Sequence, residues 1–172
     1  MEKQLKAVKI SSLIKMLELK SGTITTTDKW ENELAIDLYK RLNVDINSYK
    51  IKVIKAKYSY VDIEILNTIN NHKLYVELKT RTSLSYSSFF MGINKLKQLE
   101  HSFKNTVLVW RCKETLYFTP YHKKMLNYEE QYINNGIVVS IEKIDCMSEL
   151  DNLIQFIKEN LNCPTPTLLT VI

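Results

Sequence analysis

Two apolar alternations on either side of a short polar stretch restrict this chain more than any other feature. SYVDIEIL carries Val61, Ile63 and Ile65 at every second position, KLYVELK carries Leu74, Val76 and Leu78 in the same way, and NTINN lies between them. Period-two alternation is the mark of a half-buried strand, and the polar stretch supplies the turn. A hairpin whose turn centres between Ile69 and Asn70 sets Ile65 opposite Leu74, Ile63 opposite Val76 and Val61 opposite Leu78. Apolar side chains then meet along one face, and a slip of one residue would turn one strand's whole set to the wrong side.

The other face of this hairpin carries charge. The same register puts Asp62 directly across from Glu77, with Cα atoms about 5 Å apart, and Lys79 diagonally placed at about 7 Å. Like charges opposed on a sheet are destabilising. A hard divalent cation resolves the conflict, because Mg²⁺ takes oxygen ligands at about 2.1 Å and binds through one or two carboxylates while keeping several waters. Lys79 beside it would stabilise charge developing on a phosphate oxygen, or hold and deprotonate an attacking water. A Glu-x-Lys pair on a strand is also a common solvated face; the facing Asp62 is what sets this one apart. Glu64, on the same side, reads as simple surface charge.

The remaining elements follow from periodicity and punctuation. A helix is expected over residues 5–20, and a second over KWENELAIDLYKRLN, where Leu34, Leu38 and Leu42 form one stripe. YKIKVIKAK, SYVDIEIL and KLYVELK read as strands. TVLVW and TLYFT flank an RCKE turn, and GIVVSIEK is a further strand. GINKLKQLEHSFK and ELDNLIQFIKENL have helical spacing, and TRTSLSYSSFF reads as a hydroxyl-rich loop between Lys79 and the first of these. The expected fold is α/β, a mixed sheet with helices packed on it, in a single domain over residues 1–163 with a core of about 29–119 and a tail at 164–172. Glu31 shares the leucine stripe of its helix, so it faces the sheet and needs a partner there. It also fits a capping box with Asp28, and Glu33 takes its place if the helix is rotated.

Asp62, Glu77-Leu78-Lys79 in a β-hairpin and the preceding acidic helix together resemble the PD-(D/E)XK nuclease superfamily of restriction endonucleases, Holliday-junction resolvases and repair nucleases. The likeness spans about Lys29 to Thr119. WENEL resembles the ERELxxxL helix of archaeal junction resolvases and matches Glu31 to their helical metal-site glutamate; Val61 stands where the motif name writes Pro. The resemblance implies a restriction-endonuclease-like sheet flanked by helices and a Mg²⁺-dependent endonuclease, with Mn²⁺ as a substitute ion. Asp62, Glu77 and the Leu78 carbonyl would hold the metal, Glu31 would anchor it or a second ion, and Lys79 would position the water. The substrate implied is double-stranded or branched DNA, cut in a structure-selective, resolvase or repair manner. The alternatives are a sequence-specific restriction-type enzyme and a nucleic-acid-binding protein that keeps the fold without cutting. Two cuts in a duplex would call for a homodimer.

Charge agrees with an anionic partner: 24 Lys and Arg against 19 Asp and Glu leave +5. Lys95, Lys97 and Gln98 on the helix after the hairpin, near a helix N-terminus opened by Gly92, and Arg81 just past Lys79, are candidate nucleic-acid contacts. Tyr58, Tyr60 and Tyr86 are candidates for base stacking or for packing. Three widely spaced cysteines indicate neither a disulfide framework nor a zinc site. The His and Ser residues form no hydrolase triad, and the absence of a Gly-rich loop argues against an NTPase. No apolar run approaches a membrane span and the first residues lack a signal-peptide core, so a soluble intracellular protein is expected.

Overall fold

The structure, a computed structural model, describes residues 26–44, 48–54 and 60–162, with side chains from Trp30 onward. The helix expected over residues 5–20, Tyr58 and the C-terminal tail lie outside the described residues. The capping box with Asp28 is corrected: the first described helix already begins at Thr26, so Asp28 sits inside its first turn and not at the N-cap. In chain order the elements are α1 (Thr26–Leu42), β1 (Tyr49–Val53), β2 (Ile63–Asn67), β3 (Lys73–Thr80), β4 (Ser88–Gly92), α2 (Ile93–Ser102), β5 (Thr106–Cys112) and β6 (Thr115–Pro120). After a 3₁₀ turn at Lys123–Asn127 come β7 (Glu130–Ile133), β8 (Gly136–Glu142), a second 3₁₀ turn at Lys143–Asp145, β9 (Met147–Ser148) and α3 (Leu150–Asn162).

The main sheet has six strands in the order β1-β2-β3-β5-β6-β9. β3 and β5 are parallel, joined by a crossover through β4 and α2, while their other neighbours are antiparallel. The α/β class and the mixed sheet are therefore as expected. So is the hairpin register through its apolar part, with Ile65 opposite Leu74 and Ile63 opposite Val76.

Two hydrophobic layers sandwich this sheet. On one face Leu34, Leu38 and Leu42 of α1 and Leu153, Ile157 and Leu161 of α3 pack on Ile63, Ile65, Leu74, Val76 and Leu78. On the other, Ile93, Leu96 and Leu99 of α2, with Phe89 and Met91 of β4, pack on Leu108 and Trp110 of β5. Each fully buried aliphatic or aromatic side chain contributes about 1.5–3 kcal/mol, so both faces stabilise the domain. Phe89 stacks on Trp110 with ring centroids 4.8 Å apart.

Three features differ from the sequence expectation. Ser88–Gly92, read as loop, is a strand in a separate sheet of order β4-β8-β7. Phe89 and Met91 are its buried positions, and a hydroxyl-rich flank masked that short alternation. The β5–β6 turn is tighter than RCKE: Arg111 pairs with Leu116 and Cys112 with Thr115, leaving Lys113 and Glu114 as the turn, with Lys113 at φ 52°. Gly92 precedes α2 at φ −61°, and a side chain there would meet no atom within 4 Å, so its position does not demand glycine.

Candidate active site

The charged end of the β2–β3 hairpin is not a continuation of its apolar end. The Asp62 N–H donates to the Val76 carbonyl at 2.8 Å, yet Val76 is already the partner of Ile63. Two residues of one strand thus oppose one of the other, the pattern of a β-bulge, which re-aims side chains and shifts register. Val61 accordingly lies in the layer with Trp110 and Met91 rather than with Ile63 and Leu78. The expected pairing of Val61 with Leu78 on one apolar face is corrected by this bulge. Asp62 is corrected with it. Instead of standing squarely over Glu77, its Oδ2 accepts the Leu78 backbone N–H at 2.7 Å. A carboxylate that caps a main-chain donor competes with the ladder for it, and here the carboxylate wins.

Glu77 projects to the α2 side and is 2% exposed. Its Oε1 meets Lys79 Nζ at 2.7 Å and its Oε2 meets Lys95 Nζ at 3.3 Å. Burial, and after it the charge of Asp62, push the Glu77 carboxyl above its ordinary value of 4.5, while Lys79 and Lys95 pull the other way. Lys95 also donates to the Tyr60 carbonyl at 2.9 Å, and its Nζ lies 5.9 Å from the centre of the Tyr60 ring. Asp62, Glu77 and Lys79 thus form one cluster, and a second lysine completes it. Sequence reasoning placed Lys95 on phosphate; its contact with Glu77 across the β3–α2 crossover has no local signature.

The other expected residues are dispersed. Glu31 is 8% exposed on the sheet-facing stripe of α1, where Leu34 and Leu38 pack on the face opposite the α2 layer. Glu33 is half-buried. Among the described residues no three His, Cys, Asp or Glu side chains gather in a group that would hold a metal. Lys97 is exposed and Gln98 half-buried on α2. Arg81 is exposed and donates to the Thr80 carbonyl at 2.9 Å. Tyr60 and Tyr86 are exposed at 38% and 67%. No helix among the described residues is long and apolar enough to cross a membrane.

Sequence reasoning missed Arg111. At 5% exposure it carries a guanidinium into the α1 side of the sheet, where Nη2 donates to Asp37 Oδ2 at 3.1 Å and Nε to the Lys113 carbonyl at 2.8 Å. A tight two-residue turn was the available clue: it keeps Arg111 in the strand, in phase with the buried Val107 and Val109. No family model matches the chain, and no curated protein matches it.

Proposed function

We propose that the protein is a Mg²⁺-dependent nuclease acting on DNA, with Asp62, Glu77 and Lys79 as its centre. The observation that carries this reading is Glu77 itself. A carboxylate is buried beside a second carboxylate, against desolvation and like charge, and is held by two ammonium groups. Groups made unfavourable in this way cluster at functional sites. The restriction-endonuclease-like fold suggested by the sequence has support from the mixed sheet and from the parallel β3–β5 pair beside the cluster.

The donor set suits a hard cation. Asp62 and Glu77 offer carboxylate oxygens, and among the described residues Asp62 Oδ1 has no hydrogen-bond partner. These two residues would hold Mg²⁺, which, when bound, supplies charge neutralisation and lowers the pKa of water. The chain's own groups do the positioning. The Leu78 N–H fixes the Asp62 carboxylate, Lys95 fixes one oxygen of Glu77, and Lys79 presents an ammonium at the other, where it can orient a water or offset charge on a phosphate. Lys97, exposed on the neighbouring helix, would take a backbone phosphate, in keeping with the net positive charge. Structure-selective cutting, by a homodimer where both strands are cleaved, is the finer reading taken from the sequence.

A second reading is favoured by a different observation: both oxygens of Glu77 are already paired. The cluster would then be a buried ion triad in a nucleic-acid-binding protein that does not cut. One experiment separates the two. Wild type, Lys79→Ala and Glu77→Gln are incubated with plasmid, linear duplex and four-way junction in Mg²⁺, Mn²⁺ or EDTA. The nuclease reading expects cutting that EDTA abolishes and a loss of about 100-fold or more in each variant, the scale of removing one preorganised charged group. Unchanged cutting in either variant, or cutting that survives EDTA, removes it. DNA binding without cutting by the wild type leaves the triad.

A further inference from the structure

A cleft of 420 Å³ opens at the C-terminal ends of β3 and β5, lined in part by Trp30, Thr80, Arg81, Thr82, Arg111 and Lys113. It begins one residue beyond Lys79 in sequence, at the end of the sheet: Cys112, also in its lining, packs in the α2 layer, and none of the lining residues belongs to the Glu77 cluster. Thr80 and Arg111 are paired in the parallel ladder, and Arg111 turns toward Asp37 of α1. The guanidinium is the unusual part of it. Its Nη1 is enclosed and has no hydrogen-bond partner, although Nη2 and Nε are satisfied. Asn32 Oδ1 and Trp110 Nε1 are also buried without a partner, but Arg111 is the charged group among the three, and a buried charge short of an acceptor is the costliest of them.

Charge points the same way. Arg81, Arg111 and Lys113 bring three cations to the cleft, and Asp37 is the one carboxylate paired with any of them among the described residues. Three minus one leaves a surplus of two positive charges, which matches a dianion better than the single charge of a backbone phosphodiester. Arg81 and Lys113, both exposed, are the cations a phosphate can meet directly, with Arg111 adding buried positive charge behind them, and the Thr80 and Thr82 hydroxyls add neutral donors. Trp30, half-buried against the α1-side core, adds an aromatic edge to the lining, and the volume is in the range of small-ligand sites.

We propose that this cleft binds a phosphate monoester, the terminal phosphate of a nucleotide, either free or at the end of a nucleic-acid strand. It is separate from the Glu77 cluster and does not depend on that cluster cutting anything. Calorimetry on the full chain in EDTA tests it with inorganic phosphate, a deoxynucleoside 5′-monophosphate, the matching nucleoside, and a single-stranded oligonucleotide with a 5′-phosphate or a 5′-hydroxyl. The expected result is binding of the phosphorylated ligands that weakens about tenfold or more when the terminal phosphate is removed. Tighter binding of the phosphorylated oligonucleotide than of the monophosphate identifies a strand end as the ligand, and equal binding identifies the free nucleotide.

Arg111→Gln strands Asp37 and is liable to unfold, so the decisive variant is the surface pair Arg81→Gln with Lys113→Gln, expected to weaken binding about tenfold or more. Glu77→Gln is expected to leave it unchanged. No binding, equal affinity with and without the terminal phosphate, an unaffected double variant, or loss in Glu77→Gln would each overturn the assignment.

Discussion

The two ends of one hairpin behave differently. At the turn end, Ile65 faces Leu74 and Ile63 faces Val76 in a regular antiparallel ladder, and these side chains are buried among leucines of α1 and α3. At the open end, the ladder gives way at Asp62, whose carboxylate takes the Leu78 N–H, and the polar side chains converge on Glu77. The first end is built by packing and tolerates only apolar groups. The second spends stability on a buried charge and a broken register. Such local inconsistency in an otherwise consistent fold is expected where a site has been built.

The contrast can be broken most strongly at the packed end. Ile65→Ala should destabilise the domain by about 2–5 kcal/mol through lost burial and a cavity, measured by denaturant unfolding, while the centre in the remaining folded molecules stays intact. Asp62→Ala removes the acceptor of the Leu78 N–H and should lower stability by about 1–3 kcal/mol, with Asp62→Asn nearer wild type because an amide oxygen still accepts. A loss in Asp62→Ala no larger than in Asp62→Asn would mean that the carboxylate is not holding the bulge.

Glu77→Gln should act with the opposite sign. The folded-state pKa of Glu77 is raised, so its contribution to stability is complete below the unfolded value and is lost as pH rises through the folded one. Above that folded value the wild type bears an ionised, poorly solvated carboxylate that the variant lacks. The variant should melt at or slightly above the wild-type temperature near pH 7, with the difference vanishing below the ordinary carboxylate range. Thermal melts in EDTA across that range check it, and a clear drop in melting temperature at pH 7 would show that the two lysine contacts outweigh burial. Smallest of all, Lys97→Ala should change stability by no more than about 0.5 kcal/mol. If Lys97 touches a phosphate, the variant should reduce the salt slope of DNA binding by about one.

Much of the scaffold was legible because its signals are local. The Leu34, Leu38 and Leu42 stripe is buried as a 3.6-residue period requires, and Glu31 is buried with it. β3 ends within a residue of its alternation, and the apolar register of the hairpin followed from matching two alternations. The three-stranded sheet was not legible. β4 pairs with β8, Phe89 with Ile141 and Met91 with Val139, from opposite sides of α2, β5 and β6, and five residues of alternation behind a run of serines carry too little pattern to reveal a partner so distant.

The candidate site divides along the same line. Glu77 and Lys79 could be nominated from the chain because they alternate along one strand, and Asp62 because the hairpin is local, although it joins them through a bulge and not through the register that apolar matching gives. Lys95 could not, because it reaches Glu77 over the crossover. Nor could Arg111, whose partner Asp37 lies 74 positions away, or the bulge, which depends on a side chain outcompeting a main-chain carbonyl. Alternation and helical spacing record which way each residue faces within its own element, and so they determined the strands, the helices and the apolar register. Which elements become neighbours, and which charges are thereby buried together, is a balance of packing and desolvation over the whole molecule that only the tertiary structure decided.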